Sequence, residues 1–332
     1  MHKTPTPFVL AWILFLVFLL GGCAATPPVI ISQQPYYRSK EYVIYKMRAG
    51  DSAASIAARF LGDPTAGWRI VEANGRLQPG RYVVVPLVQR NPGGVYANGV
   101  QQVPILCYHR FEDNCSSPMC MPGATFERQM RYLKDNGYHV IGPEQLLAFL
   151  EFRQALPKKS VMITIDDGYR SVYDVAYPIL MKYGFPATFF IYTNYVGVSS
   201  KAITWDQLKE MKANGITIGS HSMAHSDLSK RGDDESPEAY EQRVRLEVET
   251  SKRIIDNKLK QDTFIFAYPF GRVNRAAIVL TRKNGYQLAV TVDRGGNAFF
   301  DNPYLLNRDM VLKRDMKTFV KSLKTFQPIS LR

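Results

Sequence analysis

Val161-Met162-Ile163-Thr164-Ile165 runs without a charge into Asp166-Asp167-Gly168. Five apolar or β-branched residues in a row read as a strand buried on both faces. Side chains alternate along a strand, which would send two adjacent carboxylates to opposite sides. A glycine just past the strand end lets the backbone turn, so that both can enter one pocket. Carboxylates that close repel unless a proton or a cation intervenes. One can then hold a metal while the other works as a base. The same pair also fits a helix cap or a solvated turn, so the surrounding chain must decide.

Outward from this stretch, strand and helix patterns alternate. Apolar runs predict strands over 103–108, 187–192, 216–219, 263–267 and 287–291. Helical spacing of apolar residues predicts helices over 125–136, 143–155, 172–182, 205–214, 237–260 and 275–283. This alternation predicts an α/β fold, with a parallel sheet or barrel. Polar residues recur just after the strands, where such folds carry their active sites. The sequence contains no serine elbow and no phosphate-binding glycine loop.

Two further strand ends carry chemistry. Gly219-Ser220-His221-Ser222-Met223-Ala224-His225 holds two of the chain's 5 histidines. Residues four apart share one face of a helical turn. With Asp167 they would complete a two-histidine, one-carboxylate set with positions left for water and substrate. Zn²⁺ suits these donors, and Co²⁺, Ni²⁺, Fe²⁺ or Mn²⁺ could use them too. Phe266-Ala267-Tyr268-Pro269-Phe270-Gly271 combines a rigid turn with aromatic rings. Tyr268, Pro269 and Phe270 are candidate contacts for a sugar acetamide, with core packing as the alternative.

Together these segments resemble the polysaccharide deacetylase, or NodB-homology, family over roughly residues 103–325. Thr164 to Gly168 matches its first motif, His221 to His225 its second, and Tyr268 to Gly271 the end of its third. Pro104 to His109 and Phe126 to Tyr138 also look like members of this family. The resemblance implies a distorted (β/α) barrel that removes acetyl groups from carbohydrates. It implies a metal held by Asp167, His221 and His225, with Asp166 as the base that takes a proton from water. A general acid must protonate the departing amine. Many members use a late histidine; none follows His225 here, so His109 becomes the candidate. The usual third motif opens with an arginine that orients the base, where this chain has Ala267. Arg308 is the expected substitute, reaching in from a later strand end, with Asp293 as its expected partner.

The N-terminal third suggests location. An apolar run from Phe8 to Leu20 is too short to span a membrane and fits a signal-peptide core. It ends in Leu20-Gly21-Gly22-Cys23, which resembles a bacterial lipoprotein processing box. Residues 1–22 are thus expected to be a signal peptide and Cys23 the lipidated first residue. Ala24 in place of aspartate favours the periplasmic face of the outer membrane. Residues 23–41 read as a tether. Residues 42–86 form a βααβ pattern that resembles a LysM domain, through Gly50-Asp51-Ser52, Asn74 and Val85-Pro86 among others. That resemblance implies binding to N-acetylglucosamine-containing glycans. Residues 87–102 read as a linker and 103–332 as the deacetylase domain. Of the other cysteines, Cys115 and Cys120 are expected to pair and Cys107 to be a buried thiol. The formal charge of +13 raises the question of nucleic acid. No zinc-finger spacing or RNA-binding aromatic motif supports it, so an N-acetylated glycan polymer is the expected partner. The expected activity is metal-dependent release of acetate from such a polymer. An O-acetyl-xylan-type esterase and a non-catalytic glycan-binding lipoprotein are the alternatives.

Overall fold

The computed structural model describes residues 37–329. The expected signal peptide, Cys23 and the tether up to residue 36 lie outside these residues. Among the described residues no helix is long and apolar enough to cross a membrane.

Residues 42–86 fold as the pattern predicts. Strands Tyr42–Lys46 and Tyr82–Pro86 pair antiparallel, with Val43 opposite Val85 and Tyr45 opposite Val83. Those four side chains, at every second position, bury themselves against Ile56, Ala57 and Ile70. Ile56 and Ala57 come from the helix Ala53–Leu61 and Ile70 from the helix Gly67–Asn74. Ser52 caps the first helix through a reciprocal bond pair with Ser55. The Asp51 carboxylate accepts the Arg48 N–H at 2.8 Å and the Tyr45 hydroxyl at 2.7 Å, fixing the turn into that helix. One boundary differs from expectation. Tyr37–Arg38, inside the expected tether, is an edge strand paired with Tyr42–Lys46.

The larger domain is a barrel of short parallel strands. These are β1 (Val103–Tyr108), β2 (Ser160–Ile165), β3 (Ala187–Ile191), β4 (Ile216–Ser220), β5 (Ile265–Ala267), β6 (Leu288–Val290) and β7 (Asp309–Met310). Each of β1 to β6 lies beside the next in parallel register. Leu306 bridges Val290, and β7 pairs with β1, so the circuit closes irregularly. Closure through one bridge and a two-residue strand is the distortion.

Strand alternation separates two cores. Leu106, Tyr108, Ile163, Ile165, Phe189 and Ile191 face the surrounding helices, where Phe126, Met130, Leu133, Leu208 and Met211 meet them. Val103, Ile105, Met162, Phe190, Leu288 and Leu306 fill the inside. By the same period, Cys107 and His109 continue the inward row of Ile105, and Thr164 and Asp166 that of Met162. The inner row therefore turns from apolar to polar towards the C-terminal ends of the strands.

The expected linker proves to be only partly one. Val95–Tyr96 and Gly99–Gln101 form a hairpin whose second strand pairs with Phe326–Pro328. The Gln101 amide donates to the Pro157 carbonyl at 2.7 Å. Residues 95–101 thus pack as part of the larger domain. The helix expected over 172–182 is present, with a wider π-helical turn over Val172–Ala176 that leads directly into the α-helix Tyr177–Tyr183. Pro178 has no N–H to donate to the regular α-helical ladder, which suits the widened turn before it. Cys115 and Cys120 form a disulfide, and Cys107 is a buried free thiol.

Candidate functional site

The C-terminal ends of β2 and β4 bring the two chemical motifs together. Asp167 and Gly168 both have positive φ, 81° and 82°, directly after β2. This left-handed turn overrides strand alternation and carries the Asp167 carboxylate round beside Asp166. Asp167 Oδ1 lies 3.6 Å from His221 Nε2 and 3.5 Å from His225 Nε2. Metal bonds of about 2.0–2.1 Å at tetrahedral angles put donor atoms about 3.3–3.4 Å apart, so these spacings suit a single small cation. The His221 Nδ1 sits 2.8 Å from the Ala267 carbonyl, which fixes the tautomer and leaves Nε2 as a free donor. The residues present therefore fit a divalent metal.

The histidine pair is not helical, contrary to the helical-turn reading. His221 ends β4, and the chain then bends back through Ser222 at φ 71° and His225 at φ 60°. Seven non-glycine residues among those described have positive φ, and four of them, Asp167, Ser222, His225 and Phe270, belong to this site. Backbone strain concentrated in this way is typical of sites where geometry is over-determined. Hydrogen bonds hold the bend: Ser222 Oγ accepts the His225 N–H at 3.0 Å, and the Ile191 carbonyl accepts the His221 N–H at 2.8 Å.

Asp166 is buried inside the barrel and faces Arg308. The guanidinium donates from Nη1 to Oδ1 at 2.7 Å and from Nη2 to Oδ2 at 2.8 Å. Its remaining donors reach the Thr291 carbonyl at 2.7 Å and the Thr164 hydroxyl at 3.1 Å. Arg308, 0% exposed, stands over the Phe190 ring. The expectation for Asp293 does not hold. Only its backbone carbonyl meets Arg308, accepting the main-chain N–H at 2.9 Å, while its carboxylate is exposed. The fork of Arg308 is already filled by Asp166, Thr164 and Thr291.

Charges follow from this packing. Burial opposes ionisation of Asp166, but Arg308 and then His221 outweigh it and hold the carboxyl well below the usual range. Asp167 is pushed up to about 7 by burial and by the Asp166 charge, with Arg308 partly offsetting. Burial lowers His221 to about 4. His109, 8% exposed, is likewise lowered to about 4 by burial, although the Asp166 charge pulls the other way. At neutral pH both imidazoles are neutral, which for His221 is the form a metal ligand requires. The Cys107 thiol lies 3.6 Å from Asp166 Oδ2, and burial keeps it protonated.

The third motif divides. Tyr268 and Pro269 are buried, and Tyr268 packs against Phe266 and Tyr286 in a separate core cluster. They shape the turn and do not reach solvent, so the expected substrate contact fails for both. Phe270 is 54% exposed and its ring stands 4.6 Å from that of His225. Three residues that motif reading missed complete the surroundings. The Tyr192 ring lies 5.3 Å from that of His225, which also meets Phe270, and stacks on Tyr195. Their only sequence signal is an aromatic pair following the strand β3. The third, Glu247, is 3% exposed on the helix Pro237–Leu259 and accepts hydrogen bonds from the bend between the histidines. Its signal was legible: it shares the buried stripe of Val244, Val248, Ser251 and Ile255.

The chain is similar to known proteins in sequence and in fold. Residues 153–289 match the polysaccharide deacetylase family. The putative polysaccharide deacetylase YxkH of Bacillus subtilis is 35% identical over 207 residues, covering 62% of this chain and 70% of that protein. The chain belongs to the polysaccharide deacetylase family. It is 28% identical over 191 residues to the poly-beta-1,6-N-acetyl-D-glucosamine N-deacetylase of Staphylococcus aureus, covering 56% of this chain and 66% of that one. Among solved structures, the deacetylase PplD of Streptococcus pyogenes in complex with acetate superposes with a TM-score of 0.60 at 29% identity. That match covers 67% of this chain and 98% of that one.

Proposed function

We propose that this chain is a hydrolase that removes acetyl groups from an N-acetylglucosamine-containing polysaccharide and releases acetate. The observation that carries this reading is the Asp167–His221–His225 set lying against the Arg308-held Asp166. One donor set for a divalent cation and one ionised carboxylate share a single strand-end site. The relatives support it by their own activities: one acts on poly-β-1,6-N-acetylglucosamine, and another binds acetate.

In this reading Asp167, His221 and His225 hold the metal, with Zn²⁺ the best match to the donors. When bound, a divalent cation supplies Lewis acidity that polarises an acetyl carbonyl and acidifies water. Asp166 accepts the proton of the attacking water, and Arg308 keeps it ionised and aimed. The water oxygen bonds to the acetyl carbon, the C–N bond breaks, and the sugar amine takes up a proton. His109, in the inward row beside Asp166, delivers that proton. Because it is neutral at rest, the proton must reach it during turnover. Phe270, Tyr192 and Tyr195 offer aromatic faces to the sugar.

The module at residues 42–86 serves as a LysM-type glycan-binding domain in this reading. Cys23 serves as the lipid anchor at the periplasmic face of the outer membrane. Both place the catalytic domain close to an insoluble polymer.

Acetate release tests the reading. Poly-β-1,6-N-acetylglucosamine oligomers, chitooligosaccharides, peptidoglycan and acetylated xylan should be compared, with Zn²⁺ and with chelator. Chelator-sensitive release from an N-acetylglucosamine polymer is expected. Release from xylan alone would make the protein an O-acetyl esterase, and no release from any substrate would overturn the proposal.

A further inference from the structure

Glu247 is a charged residue at a position where the helix Pro237–Leu259 otherwise turns its buried side inward. Its Oε2 accepts the N–H of Met223 at 2.9 Å and that of Ala224 at 2.8 Å. Its Oε1 accepts the Ser226 hydroxyl at 2.8 Å. All three donors lie in the bend that joins His221 to His225 or just beyond it. Among the described residues, Glu247 is the side chain that accepts both of these amide groups. The bend carries two non-glycine residues in left-handed conformation, Ser222 and His225, and such strain persists only when surrounding contacts impose it. Bonds to an ionised acceptor are roughly twice as strong as neutral ones. Burying a carboxylate is costly, so three donors converging on one is a built arrangement rather than a surface accident.

We propose that Glu247 is a positioning residue for the metal centre, clamping the His221–His225 bend so that both Nε2 atoms point at Asp167. It rests on the proposed metal reading of Asp167, His221 and His225. It touches no reacting atom. Its effect is to set the affinity of the donor set, since a bend free to relax would lose the 3.5 Å approach of His225 to Asp167. Groups that orient metal ligands are typically worth about 10–100-fold in affinity.

The test is zinc affinity of the full chain by chelator competition, with Tm and far-UV circular dichroism measured on the metal-free protein. Glu247→Ala is expected to weaken zinc binding by about 10–100-fold. Glu247→Gln keeps an oxygen for both amides but loses the charge and presents an N–H donor in place of the oxygen that accepts the Ser226 hydroxyl, so a smaller loss, roughly 3–10-fold, is expected. If Glu247→Ala does not fold, the Gln variant carries the test alone. Unchanged zinc affinity in a folded variant with a lowered Tm would show a merely structural role and overturn the clamp. Failure of the unsubstituted protein to bind zinc would instead remove the metal reading, and this inference with it.

Discussion

Arg308 and Asp166 are 142 residues apart in the chain and meet as a fork-to-fork pair, at 2.7 and 2.8 Å, in the interior of the barrel. Arg308 immediately precedes β7, the short strand that closes the circuit onto β1. The irregular closure therefore delivers the cation that the site needs. Position 267, where the family's arginine is expected, instead gives its carbonyl to His221.

Replacing Arg308 with Met should unfold the protein more readily, by about 3–5 kcal/mol at pH 7, because it strands a buried carboxylate. The sign with pH follows. The native pKa of Asp166 lies below its unfolded value, so the pair's contribution is complete above about pH 4 and is lost as pH falls further. In Arg308→Met, burial loses its main opponent and raises that pKa, so acid relieves the penalty. The Tm difference between the two proteins should narrow from pH 7 towards pH 4; a constant gap would contradict the pairing.

Zinc binding should weaken below neutral pH. Asp167 must lose a proton from a group pushed up to about 7, whereas His221, at about 4, is already neutral. Affinity should fall by about tenfold per pH unit below 7, with one proton released per zinc bound. Calorimetry in buffers of different ionisation enthalpy measures that proton directly.

Asp166→Asn keeps shape but cannot take a proton from water. Turnover should fall by roughly 10²–10⁴ with metal content retained. His109→Ala should also retain metal, and should slow an N-acetyl substrate more than an activated acetyl ester, whose leaving group needs no proton. Equal slowing on both substrates would remove His109 from the leaving-group step.

In denaturant without reductant, a thiol reagent should label the Cys107 peptide alone among the peptides of the described cysteines. Cys115 and Cys120 should label only after reduction. In the native state Cys107 should resist labelling because it is fully buried.

Deleting residues 42–86 together with the edge strand Tyr37–Arg38 should reduce pelleting with insoluble glycan. Turnover of short oligosaccharides should remain within about twofold, since every proposed catalytic group lies in the barrel. Equal loss on both kinds of substrate, with the barrel folded, would contradict a targeting role.

Local signals were sufficient where chemistry and backbone sit on neighbouring residues. The uncharged run 161–165 ending in two aspartates and a glycine foretold both a buried strand and a turn that gathers carboxylates. The paired histidines foretold the donor cluster that they form with Asp167, because donor identity is covalent information. The period-2 and helical patterns gave the α/β class and the βααβ module for the same reason: burial is written residue by residue. Tertiary structure alone decided the partnerships between distant segments. The sequence offered Arg308 both as the group that orients Asp166 and as a partner of Asp293; which carboxylate fills its fork depends on where a two-residue strand closes the barrel. Nor does it separate Phe270, which faces His225, from Tyr268 two residues earlier, which enters the core; a single left-handed residue turns them apart. The histidine spacing fits a helix and a strained bend equally; the bend is held by backbone bonds to the segment around Ile191 and by Glu247 from the helix Pro237–Leu259, contacts that no local pattern records.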